Sequence, residues 1–263
     1  MDLISVNKRI NNFTYSLINL ASSVKFFLEY IKTSKYRKYN LKLKDIHKDQ
    51  TCYIVGNGPS IKSMDLTCLS DKFVISVNKM ICTSVYDVIK PQYHCITDRL
   101  ILDQVINDIN HELDANRYNT KFLLHRSALN KINDSKDVYF IYNTKLPRQD
   151  KMVCDLTKNA SAFINVLPYA VMCAAYMGFK KIVLLGCDFS FFASRKDAHF
   201  YDVDNKSDRK ESLYQDLSGC AIAITQYESL YKFCKKNNIE LVNCTPNSLL
   251  DVIPQKEFKD YID

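Results

Sequence analysis

The sequence predicts an α/β fold: a Rossmann-like, doubly wound and mostly parallel sheet with a lid segment, preceded by an N-terminal amphipathic helix. Three observations carry that expectation. Short apolar runs alternate with helical stretches along most of the chain, the pattern of parallel strands joined by crossover helices. The run Ile182-Val183-Leu184-Leu185 contains no polar residue, as expected of a strand covered on both faces. The run that ends at Val55 passes straight into Gly56-Asn57-Gly58-Pro59-Ser60, a strand-to-helix turn of the kind that closes a βα unit.

The elements follow in order. Phe13, Leu17, Leu20, Val24, Phe27, Leu28 and Ile31 recur at helical spacing, so residues 13–31 are expected to form an amphipathic helix. Asn19, Ser22, Ser23, Lys25 and Glu29 interrupt it, too often for a bilayer span. Strands are expected at 52–55, 73–77, 93–97, 122–124, 138–142, 181–186 and 239–243. Helices are expected at 168–177, with Pro168 in the first turn and Gly178 past the end, and at 213–236. Residues 189–212 are polar and aromatic without a period, as in a lid. The division expected is a basic helical extension over 1–48 and one catalytic domain over 49–263.

Composition narrows the partners. The 263 residues are 47% hydrophobic, enough for a full core, and carry a net charge of +7. A basic excess suits an anionic ligand or a membrane surface. No zinc-finger spacing and no RNA-binding aromatic motif is present, so no nucleic-acid partner is expected. Six of the basic residues fall between Lys32 and Lys44 with no acidic residue among them. An apolar helix face beside a cationic segment can lie on an anionic membrane. It can equally pack on the enzyme body or on a second subunit, which leaves a homo-oligomer open. The ten cysteines include no Cys-x-x-Cys pair. They read as small buried hydrophobes kept reduced, which points to the cytoplasm, with peripheral contact on the inner face of the membrane through residues 13–44.

The chemistry is expected at strand ends. In an open α/β sheet a ligand sits beyond the carboxyl ends of the strands. The Gly56-Asn57-Gly58 turn offers glycines for unusual dihedrals and close phosphate approach. Pro59 and Ser60 suit the start of a helix whose free N–H groups attract an anion. Asn78, then Thr97 and Asp98, then Gly186-Cys187-Asp188 end three further strands, and the topology brings them to one crevice.

The segments Gly56 to Ser60, Gly178 to Phe189 and Cys244 to Leu250 resemble the bacterial sialyltransferases of glycosyltransferase family 42. They are also similar to the related MptE-like family, named for a pterin diphosphokinase. The resemblance implies a CMP-activated nine-carbon sugar as donor substrate, a cell-surface glycan or glycolipid as acceptor, and neither a cofactor nor a catalytic metal. It implies donor contacts at Asn57, Asn78 and Thr97 or Asp98, and at Asn165 beneath the nucleotide. It places Gly186 and Asp188, with Cys187 and Phe189 around them, beside the ribose, and Pro246, Asn247 and Ser248 near the base. The chain departs from the family at Ser190, where a phosphate-binding Tyr is expected, and near Ala221, where no catalytic His is found.

For catalysis the candidates are His199, Tyr201 and Asp188. A histidine suits removal of a proton from an acceptor hydroxyl near neutral pH. His199 alone among five lies in the polar segment after Gly186-Cys187-Asp188, and Tyr201 beside it can donate to a leaving phosphate. Two other readings remain at this level. One is a Mg²⁺-dependent diphosphokinase of the pterin type, drawing carboxylates from Asp188, Asp197, Asp202 and Asp204. The other is a nucleotide-binding protein without catalysis.

Overall fold

A computed structural model describes residues 3–28, 30–133, 135–147, 152–193, 199–201 and 212–262. It contains a seven-stranded sheet in the order β5-β4-β3-β2-β1-β8-β9, with every pairing parallel. The strands are β1 (Thr51–Val55), β2 (Val74–Val77), β3 (Tyr93–Ile96), β4 (Lys121–His125), β5 (Val138–Ile141), β8 (Lys181–Leu185) and β9 (Glu240–Asn243). A separate parallel pair joins β6 (Asn143–Lys145) to β7 (Ala160–Ser161). The expected doubly wound α/β sheet is therefore present.

Strand order reverses between β1 and β8, so their carboxyl ends define the switch point at which ligands bind in this architecture. Alternate side chains of each strand enter two cores. Cys52, Ile54, Ile182 and Leu184 face α5 (Val166–Tyr176) and α6 (Leu213–Lys236). Tyr53, Val55, Val183 and Leu185 belong to the second core, with Tyr86 of α3 (Ser84–Ile89) and Leu102, Val105 and Ile109 of α4 (Arg99–Ala115). Covering on both faces is why residues 52–55 and 182–185 run without a polar residue.

Local chemistry sets the helix ends. Ser212 and Gln215 form a capping box that starts α6. Asp98 starts α4 by accepting from Leu100 N and Ile101 N at 2.7 and 3.3 Å. Gly178, at φ +95°, follows α5.

The front end differs from the single helix expected over 13–31. It forms α1 (Leu3–Leu28) and α2 (Tyr30–Tyr39), carried on through the basic stretch. Residues 3–44 contain no Gly or Pro, so nothing breaks the helix early. α2 packs on β5 through Tyr36 against Phe140 and Tyr39 against Tyr139. Just beyond it, Asn40 Nδ2 donates to Phe140 O and Leu156 O at 3.0 and 2.9 Å. Leu43 is fully buried in the core shared with α5. Among the described residues no helix is long and apolar enough to cross a membrane. Most of the expected lid, residues 194–198 and 202–211, lies outside the described residues.

Candidate active-site cleft

A cleft of about 630 Å³ opens at the switch point. Asn57 and Gly58 after β1, Asn78 after β2, Thr97 and Asp98 after β3, and Gly186 to Phe189 after β8 all line it, with Asn165 at the start of α5 and His199. The topology thus gathers the strand ends that the sequence singled out. Gly56, Ser60, Tyr201, Pro246, Asn247 and Ser248 are not among the lining residues.

The glycine turn works differently from its sequence reading. Neither Gly56 nor Gly58 has a positive φ, and Gly58 sits at φ −65°, ψ 156°, open to any residue. What excludes a side chain is crowding. A Cβ on Gly58 would lie 1.8 Å from Asp188 Oδ2, and one on Gly56 would lie 2.6 Å from Gly186 O. The turn after β1 and the turn after β8 touch backbone to backbone, with Gly58 N donating to Gly186 O at 3.0 Å. The free helix N-terminus expected at Pro59-Ser60 is also absent. Pro59–Ser63 is a short 3₁₀ helix, and its Ser60 N–H donates to Asp188 Oδ1 at 2.9 Å while Ser60 Oγ donates to Oδ2 at 2.8 Å. Asp188 therefore fastens the two turns together at the cleft edge.

The Pro246-Asn247-Ser248 turn stands one layer behind. Pro246 and Asn247 are exposed. Ser248 Oγ donates to Cys187 O at 2.7 Å, and Leu249 N donates to Asp188 O at 2.9 Å. Thr245 Oγ1 accepts from Cys187 N at 2.8 Å. This turn shapes the Gly186-Cys187-Asp188 segment from behind.

Among the described residues, two polar atoms in the cleft wall lack partners. Asn57 Nδ2 donates to Val77 O at 3.2 Å, and Asn78 takes a left-handed backbone at φ 52°. The side-chain Oδ1 of each is buried with no hydrogen-bond partner among the described residues. Buried acceptors are almost always satisfied, and this open pair can accept from a ligand's donors.

Asn78 is held from behind by a buried relay. His94 Nε2 lies 2.9 Å from Asn78 O, and His94 Nδ1 lies 2.6 Å from Ser76 Oγ. A carbonyl only accepts, so Nε2 carries the proton and Nδ1 accepts from Ser76. Burial pushes the His94 pKa down to about 3. The unfolded chain therefore takes up this proton first. Stability is expected to fall as pH drops from about 6.5 toward 3, by roughly 1.4 kcal/mol per pH unit for this residue in mid-window. His94→Gln can keep both hydrogen bonds without a charge, so its denaturation midpoint should depend less steeply on pH over that window. An equal slope in the two proteins would count against His94 as the source.

Several lining residues gave no local signal in the sequence. Phe163, Ile164, Tyr169, Phe191 and Tyr227 line the cleft with apolar surface, and Arg99 lines it too. Arg99 occupies the first position of α4, where a cation is disfavoured by the helix dipole. Burial first, then Arg99 and Arg126, push the nearby His125 pKa down to about 4.

His199 is exposed at the cleft. Its segment is pinned where Phe200 N donates to Asn57 O at 3.0 Å. Tyr201 lies beside His199 with ring centroids 5.2 Å apart and planes tilted by 32°, yet it packs against the second core rather than lining the cleft. Asp197, Asp202 and Asp204 lie outside the described residues. Among those described, no three His, Cys, Asp or Glu side chains gather as a metal site.

The model of the family described as 6-hydroxymethylpterin diphosphokinase MptE-like matches residues 25–193. No curated protein matches the chain. Among solved structures, the fold is shared with the sialyltransferase CstII from Campylobacter jejuni in complex with cytidine-5'-monophosphate. That match has 22% identity and a TM-score of 0.51 over 79% of this chain and 85% of that one. The same enzyme with CMP-3FNeuAc matches with 20% identity and a TM-score of 0.50, covering 78% and 86%.

Proposed function

This chain belongs to the 6-hydroxymethylpterin diphosphokinase MptE-like family, and from that premise we propose that it is a glycosyltransferase with a CMP-activated, nonulosonate-type donor. The acceptor is a hydroxyl of a cell-surface glycan or glycolipid. The observation that carries this reading is the pair of unpartnered buried oxygens, Asn57 Oδ1 and Asn78 Oδ1, in a cleft at the switch point. They suit the amino and hydroxyl donors of a nucleoside. Arg99 is the one Arg or Lys among the described lining residues and supplies charge for the donor's anionic groups. His199 takes the proton of the acceptor hydroxyl as its oxygen attacks the sugar carbon, and CMP leaves with the bonding pair. Tyr201, packed on the second core beside His199, is assigned the leaving phosphate.

No divalent metal is assigned to the reaction. The two lining carboxylates are already engaged, Asp98 as the cap of α4 and Asp188 on Ser60. A thermal shift with CMP, UMP, GDP and ATP, with and without Mg²⁺, tests the proposal. CMP is expected to raise the melting temperature without metal, because a ligand at a hundred times its Kd stabilises by about 2.7 kcal/mol. Strict Mg²⁺ dependence with a preference for ATP would replace this reading with the diphosphokinase one. Asn57→Ala is expected to weaken CMP by roughly three- to tenfold, the loss of one hydrogen bond of about 0.5–1.5 kcal/mol. Unchanged affinity would reduce Asn57 to a turn residue.

A further inference from the structure

The packing of α1 is inverted relative to an ordinary amphipathic helix, which turns its apolar stripe to the core. Phe13, Leu17, Leu20, Val24, Phe27 and Leu28 share one face and are 54–77% exposed. The opposite face, polar at Asn19 and Ser22 and with Phe26 edge-on to Tyr142, is the one that holds the helix to the body. Asn19 Nδ2 donates to Leu146 O at 2.9 Å, and Leu146 N returns a bond to Asn19 Oδ1 at 2.7 Å. Ser22 pairs with Thr144 and accepts from Asn159 Nδ2 at 3.1 Å. With its polar side chains engaged in this way, the stripe is left facing outward. A contiguous exposed apolar surface of this kind marks an interaction site.

The charge beside it identifies what covers the stripe. Residues 3–44 hold nine Lys and Arg against one Glu, more than the protein's entire net charge of +7. Lys35, Lys38, Lys42 and Lys44 are exposed. Arg37 is buried, with its Nη1 donating to Thr157 O at 2.8 Å. A second copy docked face to face would bring two such basic segments together, as a twofold contact repeats the same patch. An anionic lipid surface complements both features at once: acyl chains meet the stripe and headgroups meet the lysines.

We propose that α1 and the basic segment after it dock the protein on the surface of an anionic bilayer, with α1 lying in the interface. The proposal is independent of the nucleotide reading, because its assay contains no donor. Full-length protein is sedimented with phosphatidylcholine vesicles, with and without one-third phosphatidylglycerol. Binding at least tenfold tighter to the anionic vesicles, released at high salt, is expected. The double variant Leu20→Glu with Phe27→Glu alters only exposed positions and should keep the parent melting temperature while losing at least tenfold in vesicle binding. Lys38→Glu with Lys42→Glu should abolish the preference for anionic lipid. Full-length protein that stays in the supernatant, or a stripe variant that binds vesicles as well as the parent, overturns the proposal. So does light scattering that shows the stripe variant splitting a dimer in the absence of vesicle binding, which would assign the face to a second copy.

Discussion

Replacing His199 with alanine is expected to lower turnover by roughly a hundredfold or more, the usual range for loss of a general base, while CMP affinity stays within about twofold. The expectation rests on placement. His199 lines the cleft, and the bond from Phe200 N to Asn57 O ties its segment to the turn that carries the proposed donor contact. The other histidines are occupied elsewhere. His94 is sealed behind Asn78. Burial and two arginines hold the pKa of His125 near 4. His47 packs between Phe73 and Phe179, with its Nε2 on Tyr93 Oη. His111 lies on α4 and does not line the cleft. Steady-state rates with saturating donor, together with CMP binding, separate the two effects. Near-normal turnover in the variant would move the base to Asp188 or elsewhere.

Gly58→Ala is expected to be the most damaging single-methyl change in the protein. The added carbon would sit 1.8 Å from Asp188 Oδ2 and 2.7 Å from Gly186 O. The carboxylate cannot step aside without giving up both bonds to Ser60. Overpacking of this kind costs about 1–3 kcal/mol and sometimes more, or roughly 2–10 °C in melting temperature for a chain of this size. The CMP-induced shift should disappear with it, because the two turns that frame the cleft would part. Gly219→Ala is the control. Its Cβ meets nothing nearer than Ile164 at 3.9 Å, and alanine in a helix interior should be neutral or stabilising by about 1 kcal/mol. Differential scanning fluorimetry of the three proteins with and without CMP decides the matter, and equal behaviour of the two variants would refute the crowding argument.

These two cases show where the sequence was readable. The strand ends at Asn57, Asn78, Thr97 and Gly186 could be collected into one crevice because parallel topology forces it. α6 could be bounded because Ser212 and Gln215 write a capping box in the local sequence. The reason for Gly58 could not be read, because the carboxylate it must clear belongs to Asp188, which lies 128 positions along the chain from its hydrogen-bond partner Ser60. Local rules instead suggested unusual dihedrals and a free helix end. Tyr227 and Phe163 reach the cleft through tertiary packing alone, with nothing in their own segments to mark them. α4 is not among the expected helices, although Asp98 caps it and Leu102, Val105 and Ile109 form its buried stripe.

The pairing of β1 with β8 joins Thr51 to Lys181 and Val55 to Leu185 across most of the chain. During synthesis, β1 leaves the ribosome long before its partner exists, and its hydrogen-bonding edge must wait unpaired through more than a hundred further residues. Such non-local parallel pairings form slowly and expose sticky edges meanwhile. The cleft at the switch point is thus completed only once β8 has emerged, and a stalled chain ending before residue 181 carries an unpaired β1 edge and lacks the Gly186 to Phe189 wall.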